Sequence, residues 1–223
     1  MSTISRNNNF VYLFIALSSL LFFMAILKFI ETQWLSDIVE ITLFTVLLVG
    51  VHSLKTERSW MWAVYIMLAF LFVLFLSKKV LLNQTLLDVS HLIILLVFFI
   101  GSLRLSFRQI LMSKEITQNM IIGSVVLYLL LGLIWTIIYL LLLIVFPDGF
   151  NNLEVLSWQE NFSQVSYFSF VTLTTLGYGD ISPKNSITQF FVYSEAIVGI
   201  FYMAIIVSSL VSARLHTLSE KRS

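Results

Sequence analysis

Six stretches of mostly apolar residues, at 10–30, 38–54, 60–76, 88–105, 120–146 and 187–213, are separated by short polar or charged breaks. A helix crosses a bilayer with roughly 20 mostly apolar residues, so each stretch is expected to span, the second and third being near the lower limit. Trp34, Lys55, Arg58, Trp60 and Trp62 flank those two short stretches and suit a membrane interface. The first stretch is too long for a signal-peptide core and lacks a small-x-small cleavage site, so it is expected to be retained. The break between the fifth and sixth stretches differs from the others. Pro147-Asp148-Gly149 turns the chain there, and Ser157-Trp158-Gln159-Glu160 has the spacing of a capping box, with Asn161 as an alternative cap. The uncharged residues 162–173 then predict a helix too short to span but long enough to dip halfway into the membrane. A re-entrant helix is tolerated only where protein or a water-filled cavity shields its end, which implies a pore or a binding cavity.

Composition agrees with this pattern. Of 223 residues, 59% are hydrophobic and 11% charged, with mean hydropathy +0.96, and a soluble domain of this size has no interior large enough for that surface. With no cysteine, disulfides, thiolate nucleophiles and Cys-ligated zinc are excluded. The net charge of +1 gives no reason to expect a nucleic-acid partner, and no cofactor is expected. The distribution of charge is more informative. With the N-terminus inside, nine basic residues (Arg6, Lys55, Arg58, Arg104, Arg108, Lys114, Arg214, Lys221, Arg222) fall on the cytoplasmic side and four (Lys28, Lys78, Lys79, Lys184) outside. The positive-inside rule therefore predicts a multi-pass cell-membrane protein with both termini cytoplasmic.

The expected organisation is all-α and polytopic: a four-helix part at 1–105, an amphipathic cytoplasmic connector at 106–119, a second membrane part at 120–213, and a short tail at 214–223. About ten polar residues follow the sixth helix, so no soluble regulatory domain is expected. No internal repeat is evident.

The chemistry concentrates at Thr174-Thr175-Leu176-Gly177-Tyr178-Gly179-Asp180. Replacing the water around a potassium ion requires stacked rings of oxygens, each contributed by several subunits. Backbone carbonyls supply them only if successive ones face the same axis, which needs a backbone alternating in hand, and glycine visits the left-handed conformations most cheaply. Glycine at alternate positions, 177 and 179, meets that need. Leu176 and Tyr178 are then expected to pack behind the rings, and the Thr175 hydroxyl to add one more ring at the inner mouth. The C-terminal end of the preceding half-span helix favours a cation below.

The segment from Ser166 to Asp180, SYFSFVTLTTLGYGD, resembles the pore helix and signature sequence of the potassium channel family. The resemblance covers roughly the last hundred residues. It implies a homotetramer in membrane lipid, with potassium bound at Thr175, Leu176, Gly177 and Tyr178. Three departures stand out. Leu176 replaces the commoner valine or isoleucine. Tyr167 and Phe168 stand where many members have paired tryptophans, so Phe168 has no donor for Asp180. Val171 stands where some bacterial members keep a glutamate. All three supporting positions bear on filter stability and inactivation rather than on selectivity.

Outside the motif, Asp180 reads either as an outer-mouth carboxylate that fixes the filter's end or as a solvated loop acid. Glu195, an ionisable residue in the sixth helix, reads either as a structural hydrogen bond to the pore helix or filter, or as a gating group. Gly199 resembles the family's hinge glycine, though a small residue for close packing explains it nearly as well. Arg104 and Arg108 are too few for a voltage sensor, and no acidic partner is expected inside the second and third helices. Voltage dependence is therefore expected to be weak or absent. His52, His91 and His216 lack metal-ligand spacing and read as structural. Two rival functions are a non-selective cation channel and an intramembrane aspartyl protease of the GxGD type, the latter needing a second aspartate beside Asp180.

Overall fold

The computed structural model describes residues 9–30, 35–53, 58–77, 84–111 and 118–220. Seven helices make up nearly all of these: α1 (Asn9–Ile30), α2 (Leu35–Ser53), α3 (Arg58–Ser77), α4 (Gln84–Leu111), α5 (Gln118–Val145), α6 (Trp158–Leu173) and α7 (Ser186–Glu220). Each predicted apolar stretch lies within or almost within one helix. Four helices, α1, α4, α5 and α7, are long and apolar enough to cross a membrane. In α3 the apolar run is shorter, at Trp60–Leu76, and α2 is not among the candidates. Residues 112–117 of the expected connector lie outside the described residues, as do Arg6, Glu31, Trp34, Lys55, Lys78, Lys79, Lys114, Lys221 and Arg222. The first part of that connector, 106–111, continues α4, correcting the expected boundary. Ser106 is fully buried, and the apolar repeat is carried on by partly buried Leu105 and Ile110, so the helix has reason to continue.

In α1, Phe10, Leu13, Leu17, Leu20, Met24 and Leu27 are all buried, a spacing of three and four residues that keeps one seam facing its neighbours. Their opposite face, with Ile15, Phe22 and Phe23, is exposed. By contrast α5 is buried around most of its circumference and packs against α1, α4, α6 and α7. It is the central post of the fold. At the predicted cytoplasmic end, Asn9 Nδ2 donates to Gln109 Oε1 at 3.0 Å and Asn119 Nδ2 donates to Asn9 Oδ1 at 2.8 Å. Asn119 Oδ1 also accepts from the Phe10 amide at 3.2 Å, so a side chain of α5 caps an orphan amide of α1.

Two short strands were not anticipated. β1 (Phe150–Asn151) and β2 (Ser182–Pro183) pair antiparallel, Phe150 with Pro183 and Asn151 with Ser182. Two residues carry too little periodicity to be read as strands from sequence. The pairing closes the excursion of α6 and the filter segment at its base. Around it the Lys184 amide and Thr188 Oγ1 both donate to the Gly149 carbonyl, at 2.8 and 2.9 Å. Asn185 Oδ1 accepts from the Thr188 amide at 2.8 Å and caps the start of α7.

Candidate functional site

The half-span helix begins where the capping box places it. Ser157 accepts from the Glu160 amide while the Glu160 side chain accepts from the Ser157 amide, satisfying two amides at the start of α6. Its body is held by packing. Phe168 stacks between Tyr139 and Phe150, with ring centroids 5.1 and 5.7 Å away. On the α5 side, a Cβ added to Gly132 would lie 2.4 Å from the Phe170 ring, so glycine there admits the phenyl group.

At the C-terminal end of α6 the chain leaves the helix without leaving its hydrogen bonds. Thr174 and Thr175 amides donate to Phe170 and Thr172 carbonyls, at 3.0 and 2.8 Å. The Leu176 and Gly177 amides both donate back to the Val171 carbonyl, at 3.0 and 3.3 Å. Val171 thus anchors the start of the 175–179 segment through its backbone, while its side chain is buried. Beyond this point φ is positive at every second residue: 59° at Thr175, 56° at Gly177 and 78° at Gly179. Alternation of hand turns successive carbonyls to one side. Among the described residues no hydrogen bond ends on the carbonyl oxygens of Thr175 through Gly179, so these oxygens are available to a ligand. The glycines were expected to adopt left-handed backbone; the threonine was not. A β-branched residue at positive φ is strained, at roughly 1–3 kcal/mol, and it persists because the pore-helix carbonyls fix the residues around it.

The outer end is tied by Asn152, whose Nδ2 donates to the Asp180 carbonyl at 2.9 Å. Phe168 offers no donor to Asp180, while the phenol of its neighbour Tyr167 lies near the Asp180 carboxylate. Leu176 and Tyr178, expected behind the filter, are 54% and 67% exposed, so the other described residues leave most of each uncovered.

Glu195 is fully buried. It accepts from the Tyr139 hydroxyl of α5 through Oε2, and Ser169 Oγ of α6 lies 2.6 Å from its Oε1. Ser169 Oγ is also 2.8 Å from the Gly132 carbonyl, which Thr136 Oγ1 shares at 2.8 Å. A single side chain of α7 thereby joins the other two helices behind the filter. Four residues further on, α7 runs unbroken past Gly199, where an added Cβ would lie 2.1 Å from the Leu173 carbonyl oxygen. Close approach of two backbones accounts for that glycine. We expect Gly199→Ala to push α7 from the end of α6 and to lower stability by about 1–3 kcal/mol, read as a lower melting temperature in detergent.

Arg104 and Arg108 lie in the C-terminal part of α4 and are exposed. The second helix does carry a buried acid: Glu40 lies inside α2 at 2% exposure and accepts from Gln159 Nε2 of α6 at 2.7 Å. An acid six residues into an apolar helix is costly enough to have been singled out from sequence. His91 is buried, while the side chains of His52 and His216 lie outside the described residues. No group of three or more His, Asp or Glu side chains among the described residues could hold a metal ion.

Residues 124–214, from α5 through the filter and most of α7, match the model of a family described as ion channel. No curated protein and no solved structure matches the chain. The family match supports an ion channel built around the α5–α6–α7 unit.

Proposed function

We propose that the chain is one subunit of a potassium-selective channel in which four copies surround a common axis. The observation that carries this reading is the filter backbone: positive φ at Thr175, Gly177 and Gly179, with carbonyls that accept no hydrogen bond from the described residues. Four such segments would stack carbonyl rings from Thr175, Leu176, Gly177 and Tyr178, with the Thr175 hydroxyl at the inner mouth. Those oxygens replace the hydration shell of a potassium ion, the mechanism for which potassium channels are the known instance. A sodium ion, being smaller, gains less from oxygens held at that spacing. The C-terminal end of α6 contributes partial negative charge below the filter, and Asp180 a carboxylate at its outer mouth.

Two features favour assembly. Leu176 and Tyr178 are left largely uncovered by the described residues. In addition, α7 is only 11% buried over its most apolar window against 56% for α5, leaving Phe190, Tyr193, Ile197 and Phe201 exposed on the pore-forming unit. Closed rotational symmetry answers both, since each copy covers the next. We read six membrane crossings with both termini in the cytoplasm, from the charge distribution. Passive conduction with weak voltage dependence follows from two exposed arginines at the predicted cytoplasmic end of α4.

Purified protein in liposomes is expected to conduct potassium about tenfold or more better than sodium, as carbonyl rings select. The reversal potential in a planar bilayer checks this. A potential that follows the sodium gradient equally favours a non-selective cation channel. For the protease reading, Asp180→Ala is decisive: a channel keeps a potassium current, whereas an enzyme with that aspartate in its catalytic pair loses all activity.

A further inference from the structure

Away from the filter, a second polar cluster sits where the first turn of α6 meets α2 and α4. Gln159 is buried to 5% exposure, and its amide reaches the Glu40 carboxylate, 119 residues earlier in the chain. Beside this bond Glu40, His91 and Trp158 line a small cavity whose other walls include Leu43, Phe44 and Leu95. The rings of His91 and Trp158 lie 6.1 Å apart. Both residues are only 3% exposed, and His91 Nε2 and Trp158 Nε1 have no protein hydrogen-bond partner.

The two orphan atoms are of complementary sense. His91 Nδ1 lies 2.9 Å from the Leu87 carbonyl, which only accepts, so the ring hydrogen sits on Nδ1. In the neutral ring Nε2 is then an acceptor, whereas an indole N–H only donates. Nothing on either side chain can satisfy itself, and the walls are apolar. One water molecule answers both: it accepts from Trp158, donates to His91, and has a second hydrogen for the Glu40 carboxylate. Buried waters have this kind of surrounding, with two to four polar partners of mixed sense.

We propose that Glu40, His91 and Trp158 enclose a single bound water, and that with the Glu40–Gln159 bond they form a latch by which the N-terminal helices hold the start of α6. The latch gives α2 and α4 a role in the channel: they fix the outer end of the helix on which the filter is built. Only its effect on current rests on the potassium-channel reading.

The test uses the full-length protein in nanodiscs with 15N-labelled tryptophan. The indole resonance lost in Trp158→Phe is expected to show cross-relaxation to a long-lived water, and His91→Phe to abolish it. Absence of that transfer in the unmodified protein overturns the water. Hydrogen exchange of the first-turn amides of α6 then judges the latch. Glu40→Leu and Gln159→Leu are each expected to speed it about tenfold, and the double variant no more than either alone, as for two residues of one interaction. Glu40→Gln, which keeps the acceptor oxygen, is expected to exchange as the unmodified protein does. Independent, multiplying effects of Glu40→Leu and Gln159→Leu overturn the latch, as does unchanged exchange in both. In liposomes the same leucine variants are expected to shorten mean open time about fivefold. If the unmodified protein carries no potassium current, the proposed function falls while the exchange and water measurements still decide the latch.

Discussion

Replacing Gly177 with alanine is expected to abolish potassium current, with Gly179→Ala doing the same. The reason is conformational rather than steric. A Cβ at either position meets nothing within 4 Å, yet φ is 56° and 78°. An L-residue held left-handed costs roughly 1–2 kcal/mol, and in the proposed tetramer that cost would fall four times on one ring. The filter already holds Thr175 at φ 59°, so its backbone has less tolerance for further strain. An alanine relieves the strain by turning its peptide, and the carbonyl then leaves the axis. Potassium flux into liposomes measures the loss. Gly177→Ala protein that conducts within tenfold of the unmodified channel would show that the alternation is not what binds the ion.

The second large effect is expected at Glu195. Substitution by alanine removes the acceptor of the Tyr139 hydroxyl and the group 2.6 Å from Ser169, in a fully buried site joining α5, α6 and α7. The Tyr139 hydroxyl is left without its acceptor beside a new cavity, while Ser169 keeps the Gly132 carbonyl, at a combined cost of about 2–5 kcal/mol. Glu195→Ala protein should melt far below the unmodified protein in detergent and lose current as α6 loses its hold. Glu195→Gln should retain both properties to a large extent. Its carbonyl oxygen still accepts from Tyr139, and its amide donates to Ser169 Oγ while Ser169 donates to the Gly132 carbonyl. Equal damage from the two substitutions would mean that the charge itself, rather than the bridge, is what the site requires.

Both sites bear on the departures noted in the sequence. With Val171 in place of a buried glutamate, α6 has no acid of its own behind the filter. Glu195 approaches the same helix from α7 and takes hold of Ser169 instead. Beside Phe168, which has no donor, Tyr167 brings a phenol near the Asp180 carboxylate. The filter is therefore supported, but by residues whose partners come from neighbouring positions and another helix.

Much of the architecture was legible because its causes are local. Apolar stretches long enough for a helix lie within or almost within α1 to α5 and α7, since burial and lipid both act on runs of adjacent residues. The Ser157–Glu160 box started α6 where expected, because the two side chains satisfy amides three positions away. The glycine alternation was likewise readable, as φ is chosen residue by residue. Other features depend on distant contacts. Gly199 faces Leu173, Glu195 reaches Tyr139 across 56 residues, and Glu40 meets Gln159 across 119. No periodicity or motif encodes such pairs; they exist only once helices pack.

The filter shows the division most closely. From sequence came the two glycines and the requirement that carbonyls face one way. Only the tertiary structure decided that Thr175 joins them in the left-handed region, that the Val171 carbonyl holds the Leu176 and Gly177 amides, and that Asn152 holds the Asp180 carbonyl. The physical reason is that intrinsic preference alone gives a threonine no cause to adopt positive φ. The fixed end of α6 supplies that cause, and α6 is fixed by the helices around it.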